Sequence, residues 1–110
     1  MPQVNVAPQD APSYARTSFG ELRNYSDMPA AGEIDEVTTR HLVHGYYAAT
    51  SYTDAQIGKL LDALDRLQLA EETIVALWGD HGWHLGDHGM WCKHTNYEQA
   101  ARIPVTLAAP

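Results

Sequence analysis

The stretch "TIVALWGD", residues 73–80, decides the fold class that we predict for this chain. Residues 74–78 form a nearly continuous apolar run, which is typical of a strand buried on both faces, as in a parallel sheet between helices. The run ends at Gly79, and the next side chain is the carboxylate of Asp80. Such a strand with a helix before it predicts α/β architecture, in which ligands bind beyond the carboxyl ends of strands. The sequence therefore predicts a functional site that starts at Asp80 and His81.

The segment before this strand, residues 33–69, predicts one long amphipathic helix. Its apolar side chains recur at three- and four-residue steps, which would turn one stripe of the helix toward a core. The stripe consists of Val43, Tyr46, Tyr47, Thr50, Ile57, Leu60, Leu61, Leu64 and Leu67. Residues 1–32 are rich in proline and lack a sustained apolar period, so we expect an extended or loop lead-in there. A second apolar run, "IPVTLAAP" at 103–110, predicts another strand.

The loop "WGDHGWHLGDHGMWCKHTN", residues 78–96, holds four of the six histidines and the only cysteine. Asp80 offers a hard oxygen and His81 an imidazole nitrogen, so that the two neighbours could reach one metal ion. Gly79 and Gly82 would permit backbone angles that other residues avoid. Lys93 supplies a compact cation for an anionic substrate oxygen. A metal and a lysine at one place would stabilise negative charge that develops in a transition state.

The same residues also fit a purely structural interpretation. Asp-His-Gly is a common turn composition, and His84, Asp87 and His88 could form a locally hydrogen-bonded turn. Cys92 fits a small packed residue better than a nucleophile, since the sequence places no basic partner beside it. Residue chemistry alone leaves both interpretations open.

Composition limits the classes of function. A chain of 110 residues with 45% hydrophobic content predicts about one globular domain. The net charge of −7, from 14 acidic and 7 basic residues, argues against nucleic acid as a partner. No apolar run reaches membrane length, and the first residues, "MPQVNVAPQDAP", lack the pattern of a signal peptide. One cysteine excludes an internal disulfide.

An ordered set of motifs gives residues 38–110 a family resemblance. The helix contains "SYTDAQIGKLLDAL", and after it come "DHG" at 80–82, "LGDHGMW" at 85–91, Lys93 and "RIP" at 102–104. This order resembles the distal half of the catalytic domain of type I sulfatases, in the alkaline phosphatase superfamily, and especially the iduronate-2-sulfatase-like branch. The resemblance implies part of an α/β/α sandwich. Residues 1–32 would then be a lead-in, and residues 33–110 a partial sulfatase catalytic domain.

The resemblance also implies roles for particular residues. Asp80 and His81 match two ligands of a divalent cation, usually calcium, and Lys93 matches the lysine that contacts the sulfate. His84 and His94 fall at positions on the substrate side of the loop. Structural roles are implied for three further residues, His88, Trp91 and Arg102. The implied activity is hydrolysis of sulfate esters, with a sulfated saccharide as one candidate substrate. By the same resemblance, we expect the intact protein to be periplasmic or secreted.

The sequence also departs from the family pattern. The nucleophile of these enzymes is a formylglycine made within a C/S-x-P-x-R motif, which this sequence lacks, since Cys92 is followed by "KHTN". The Asp-Asp pair that completes the family's metal site is missing as well. We therefore expect a fragment with half an active site, inactive by itself. Two alternatives stay open. One is a phosphodiesterase or phosphonate monoester hydrolase of the same superfamily, and the other is a catalytically inactive fragment that self-associates into a homo-oligomer.

Overall fold

The structure, a computed structural model, describes residues 8–15, 17 and 20–110. Two compact units make up this part of the chain. The first unit comprises the described residues up to Val43 together with residues 80–103, and the second comprises residues 44–79 together with 104–110. The lead-in predicted for residues 1–32 lies partly outside the described residues.

Short elements build the first unit. They are α1 (Gly20–Arg23), the start of α2 (Glu36–Arg66), β2 (His84–Leu85), β3 (Trp91–Cys92) and α3 (Glu98–Ala101). β2 and β3 pair antiparallel, with His84 opposite Cys92 and Leu85 opposite Trp91. The hairpin loop is a 3₁₀ turn, Asp87–Gly89, and is closed by a 2.9 Å bond from the Gly86 amide to the Met90 carbonyl. Gly86 has φ 99°, a left-handed conformation that glycine adopts without steric cost.

The core of the first unit joins the lead-in to the hairpin. Leu22, in α1, is 3% exposed and packs with Trp91 and Cys92 of β3. Partly buried apolar side chains surround this cluster: Met28, Ile34, Leu42, Trp83 and Leu85. Complete burial of a leucine stabilises a fold by about 1.5–3 kcal/mol. The lead-in is therefore partly helical and contributes to the core, whereas its proline-rich sequence predicted loop throughout.

The helix predicted over residues 33–69 is confirmed as α2, Glu36–Arg66. Asp35 caps its N-terminus, because Oδ1 accepts a 2.8 Å bond from the Thr38 amide and Oδ2 a 2.9 Å bond from the Thr38 hydroxyl. These bonds lower the pKa of Asp35. The prediction that the apolar stripe faces a core is wrong for the described chain, since Tyr47 is 63% and Leu60 68% exposed.

The second unit contains the strand "VALW" as β1 (Val75–Trp78), as predicted, and a last strand, β4 (Val105–Ala108). The two pair antiparallel, with Val75 opposite Ala108 and Trp78 opposite Val105. The prediction of a strand buried on both faces in a parallel sheet is wrong for the described chain, because β4 runs antiparallel to β1 and most of both strands is exposed. Helices and short strands together give an α/β fold, and the α/β/α sandwich stays a prediction. Within the described ranges, no helix is both long and apolar enough to cross a bilayer.

Candidate active site

Asp80 and His81 follow β1 in the chain and form the start of the site in the first unit. The Nε2 atom of His81 lies 3.6 Å from Oδ2 of Asp80. The other ring nitrogen, Nδ1, lies 2.8 Å from the carbonyl oxygen of Gly82 and donates to it. This bond fixes the tautomer that carries its lone pair on Nε2, which is how proteins orient metal-binding histidines. The two side chains therefore fit a shared cation, with one oxygen and one nitrogen directed to the same place.

Gly82 holds this turn against α3. Its amide donates a 2.8 Å bond to the Ala100 carbonyl, and a Cβ built on Gly82 would collide with the carbonyl oxygen of Gln99. Neither Gly79 nor Gly82 has a positive φ. We predicted that these glycines are needed for their backbone angles, and for Gly82 this prediction is wrong. What this position requires is the absence of a side chain.

Trp83 contacts one residue of the predicted metal pair, His81, and the predicted sulfate-binding lysine. Its ring centroid lies 5.9 Å from that of His81, with an interplanar angle of 31°. The Nζ atom of Lys93 lies 4.9 Å from the centroid of the Trp83 ring, within cation–π range. The indole thus links two predicted functional groups that are twelve residues apart in the sequence.

Lys93 makes its strongest contact with a residue of α1. Its ammonium donates a 2.8 Å hydrogen bond to Oε1 of Glu21, and the two side chains are 28% and 24% exposed. This bond is the main cause of the raised pKa of Lys93, which partial burial opposes. Lys93 is therefore held as a cation at the edge of the first unit.

His94, the neighbour of Lys93, is 65% exposed, and its Nδ1 atom lies 3.5 Å from Oε2 of Glu21. A cavity of about 620 Å³ lies beside both residues. Its walls are residues 8–12, Tyr14, Ala15 and 93–97. This volume falls in the range of small-molecule sites, so the cavity could accept a small organic anion.

His84 lies inside the first unit with 0% exposure. Its Nε2 atom lies 2.7 Å from Oγ1 of Thr95, and its ring packs edge-on against Tyr97 at 6.1 Å. Its Nδ1 atom is buried and has no hydrogen-bond partner among the described residues. Burial lowers the pKa of His84, so that the neutral ring is favoured. The substrate-binding role of His84 stays a prediction, and it would require the ring to leave this enclosure.

The structural roles implied for the neighbouring residues agree with their surroundings. Trp91 is 5% exposed in the core, and His88 stacks on Tyr97 at 5.5 Å. Cys92 is 2% exposed, and burial is the main cause of its raised pKa, so that the thiol is held protonated. The interpretation of Cys92 as a packed residue is confirmed by this burial.

The described residues do not gather a complete metal site. No group of three or more His, Cys, Asp and Glu side chains that could hold an ion occurs among them. The metal-binding role of Asp80 and His81 therefore stays a prediction. It requires further ligands to complete the coordination shell of the ion. In particular, His81, His84, His88 and His94 do not gather into such a group in this part of the chain.

Comparison with known proteins decides the family. A family model described as sulfatase matches residues 4–110. This chain belongs to the sulfatase family. It is 39% identical to mouse iduronate 2-sulfatase and 38% identical to the human protein, in each case over 109 residues, 94% of this chain and 20% of the relative. It is 35% identical to choline-sulfatase of Rhizobium meliloti over 78 residues, 71% of this chain and 15% of the relative. The sulfatase chain thus spans about a fifth of the length of the first of these relatives.

Two residues of the candidate site were missed by sequence reasoning. Glu21 lies 72 residues before Lys93 in a segment predicted as loop, and no local pattern links them. Trp83 stands between Gly82 and His84 in a glycine-rich loop, where an aromatic residue is compatible with either a turn or a site. A signal for Trp83 was available, since an indole close to a metal ligand and a lysine offers a face for cation–π contact.

Proposed function

We propose that this chain carries part of the active site of a sulfuric ester hydrolase, which cleaves sulfate esters. Membership of the sulfatase family supports the reaction class. The observation that carries the proposal for individual residues is Trp83, whose ring contacts both His81 and Lys93. One indole therefore contacts both the proposed cation-binding group and the proposed anion-binding group.

Each side chain has a defined task in this proposal. Asp80 and His81 hold a divalent cation, with calcium as the expected ion, and the bound cation supplies charge neutralisation for a sulfate oxygen. Lys93 has three N–H donors, of which one goes to Glu21, so two are left for the sulfate. Trp83 excludes water from one side of the ammonium and thereby strengthens its attraction for an anion.

The nucleophile is not assigned to a residue of this chain, because the sequence contains no C/S-x-P-x-R motif. Cys92 is buried and is followed by "KHTN" rather than by a C/S-x-P-x-R pattern. We therefore derive no chemical step from Cys92. A formylglycine would come from another part of an intact enzyme, and its substrate would be a sulfate ester, with a sulfated saccharide as a candidate. We propose a periplasmic or secreted location for the intact protein.

Anion binding by the chain tests this proposal. Inorganic sulfate should perturb the ¹⁵Nζ and ¹³Cε signals of Lys93 in an NMR titration, and Lys93→Ala should abolish the sulfate response of the Trp83 indole signal. The chain has one other lysine, the exposed Lys59 on α2, so Lys59→Ala is a matched control that should leave the response intact. An indole response that survives Lys93→Ala would overturn the role of Lys93. Tighter binding of inorganic phosphate than of sulfate would favour the phosphodiesterase or phosphonate hydrolase alternative.

A second candidate function, a self-associating fragment without turnover, is favoured by the second unit. Large apolar side chains of β1 and β4 are exposed there, including Trp78 at 63%, Val105 at 65% and Leu107 at 71%. Exposed apolar strands with unpaired edges are surfaces on which chains associate. In this alternative, sulfate would perturb neither Lys93 nor Trp83, and the fragment would form oligomers.

A further inference from the structure

The surroundings of Glu21 differ from those of an ordinary surface carboxylate. Both of its oxygens face a cationic or titratable group, since Oε1 accepts from the Lys93 ammonium at 2.8 Å and Oε2 lies 3.5 Å from Nδ1 of His94. Oε2 is enclosed and lacks a hydrogen bond within the described structure. Glu21 therefore contacts two adjacent residues of the candidate site from an element far away in the sequence.

Its two neighbours in α1 fix where Glu21 stands. Leu22 enters the core against Trp91 and Cys92. Arg23 donates bonds of 2.7 Å to the Pro29 carbonyl and 2.6 Å to the Gly32 carbonyl, which tie α1 to the segment that follows it. Three consecutive side chains thus have separate contacts. The backbone is held directly after Glu21, so the carboxylate meets Lys93 at a defined place.

Lys93 is equally confined from its own side. It follows Cys92, whose φ of 65° is a left-handed conformation that is uncommon outside glycine. This backbone turn ends β3 immediately before Lys93, and the ammonium then lies between the Glu21 carboxylate and the Trp83 ring. A lysine side chain normally samples many rotamers, and confinement on two sides removes most of that freedom before a ligand arrives.

We propose that Glu21 is a positioning residue for Lys93, one that holds the ammonium beside Trp83 with two donors directed outward for the anion. The inference rests on the proposed function, in which Lys93 binds the sulfate. Glu21 acts through Lys93 and touches no reacting atom. Its negative charge opposes the approach of an anion, so the gain from Glu21 is orientation and not attraction. This opposition makes the positioning role separable by experiment.

Two substitutions separate charge from orientation. Glu21→Gln removes the charge but keeps an acceptor oxygen for the ammonium, whereas Glu21→Ala removes both. If Glu21 positions Lys93, Glu21→Ala should bind inorganic sulfate about three- to tenfold more weakly than Glu21→Gln, which is the range for loss of one hydrogen bond. Equal sulfate affinities of the two variants would overturn the inference.

The NMR signals of Lys93 give a readout that a purely structural role of Glu21 would not move. The titratable groups that act on its ammonium are Glu21, Cys92 and Tyr25, and His94 contacts the same Glu21 carboxylate. Both variants should lower the pH midpoint of the Lys93 ¹⁵Nζ signal, and only Glu21→Ala should also average its two Hε signals. The Lys59 signal is the internal reference. Glu36→Gln, which alters an exposed pair with Arg40 on α2, should leave Lys93 unchanged.

The outcomes distinguish failure of this inference from failure of the proposed function. If sulfate perturbs Lys93 in the unaltered chain but neither Glu21 variant changes its signals, the positioning role is wrong and the proposed function stands. If the Glu21 variants alter Lys93 but sulfate never perturbs it, the proposed function fails and the inference fails with it. Should Glu21→Ala lose the dispersed amide spectrum of the folded chain, the midpoint in the isosteric Glu21→Gln decides, and an unchanged midpoint is the overturning result.

Discussion

His84 Nε2 lies 2.7 Å from Thr95 Oγ1, and this contact joins the start of the β2–β3 hairpin to the segment after Lys93. Thr95 Oγ1 also lies 3.4 Å from the Tyr97 amide, which donates to it. The imidazole is fully buried and its Nδ1 atom has no hydrogen-bond partner among the described residues, so a second proton would place a charge where the cost of burial outweighs the attraction of the Asp87 carboxylate. His84 therefore makes the first unit sensitive to acid.

We predict that the free energy of unfolding falls as the pH drops below about 6.5, the ordinary pKa of histidine. The pKa of His84 is lowered in the folded chain, so the unfolded state binds the proton first and stability is lost between this value and the folded pKa. For one titrating group, the free energy of unfolding falls by at most about 1.4 kcal/mol per pH unit. Urea denaturation at pH 7.5 and pH 5.5 measures the difference. His84→Gln should reduce it, whereas the same change at the exposed His41 should not, and an equal pH dependence in His84→Gln would contradict the prediction.

Two glycine substitutions should have opposite effects. Gly82→Ala places a methyl group against the Gln99 carbonyl, and overpacking of this kind costs about 1–3 kcal/mol. Gly58→Ala, inside α2, meets no atom within 4 Å and should stabilise the helix by about 0.5–1 kcal/mol. Thermal denaturation of both variants tests the pair. A Gly82→Ala variant as stable as the parent would refute the close approach to α3.

The fold was partly predictable from the sequence. The helix follows from a long 3.6-residue period and the strand β1 from a run of apolar residues, because both signals are local. The hairpin of β2 and β3 was missed, since strands of two residues carry no period, and so was α1, where Leu22 alone faces the core. The antiparallel pairing of β1 with β4 depends on contacts between distant segments, which local patterns do not encode.

The candidate site was predictable only where its residues are close in sequence. Asp80, His81 and Lys93 were predicted as site residues because they lie in one loop. In the structure, the ring of Trp83 contacts both His81 and Lys93. Glu21 could not be found because it meets Lys93 through the packing of α1 on β3. The burial of His84 was equally hidden, since a histidine next to a glycine-rich turn can face in either direction.

The isolated chain should hydrolyse no sulfate ester. Its only cysteine is buried with a raised pKa, and the motif that yields the nucleophile is absent from the sequence. An aryl sulfate assay against a buffer control should give no difference. Release of the phenol above the control, abolished by Lys93→Ala, would show that the chain contains a nucleophile that we have not recognised.

Calcium should bind weakly. Asp80 and His81 supply two ligands, whereas calcium prefers six to eight oxygens, and no larger group of ligands occurs in the described part of the chain. Calorimetric titration should give little heat at micromolar calcium, and zinc should gain little from histidines that do not converge. Tight calcium binding that is lost in Asp80→Ala would mean that the chain completes its own metal site.

The chain should self-associate through its second unit. β1 and β4 form a two-stranded sheet with exposed apolar residues and unpaired edges, a combination that is marginal in isolation. We expect a dimer or a larger oligomer in light scattering. Leu107→Lys, at an exposed position of β4, should shift the population toward monomer, whereas Lys59→Gln on α2 should not. A monodisperse monomer of the unaltered chain at high concentration would disprove the association.

The single thiol of this chain lies under α1, because Cys92 packs against Leu22 at the centre of the first unit. A maleimide or disulfide reagent reaches this buried sulfur through openings of the folded chain, such as separation of α1 from β3, so the rate of labelling measures how often these openings occur. Labelling of Cys92 thus reports on openings that also separate Glu21 from Lys93. A ligand that binds only when Glu21 and Lys93 are in contact would lower the rate of Cys92 modification.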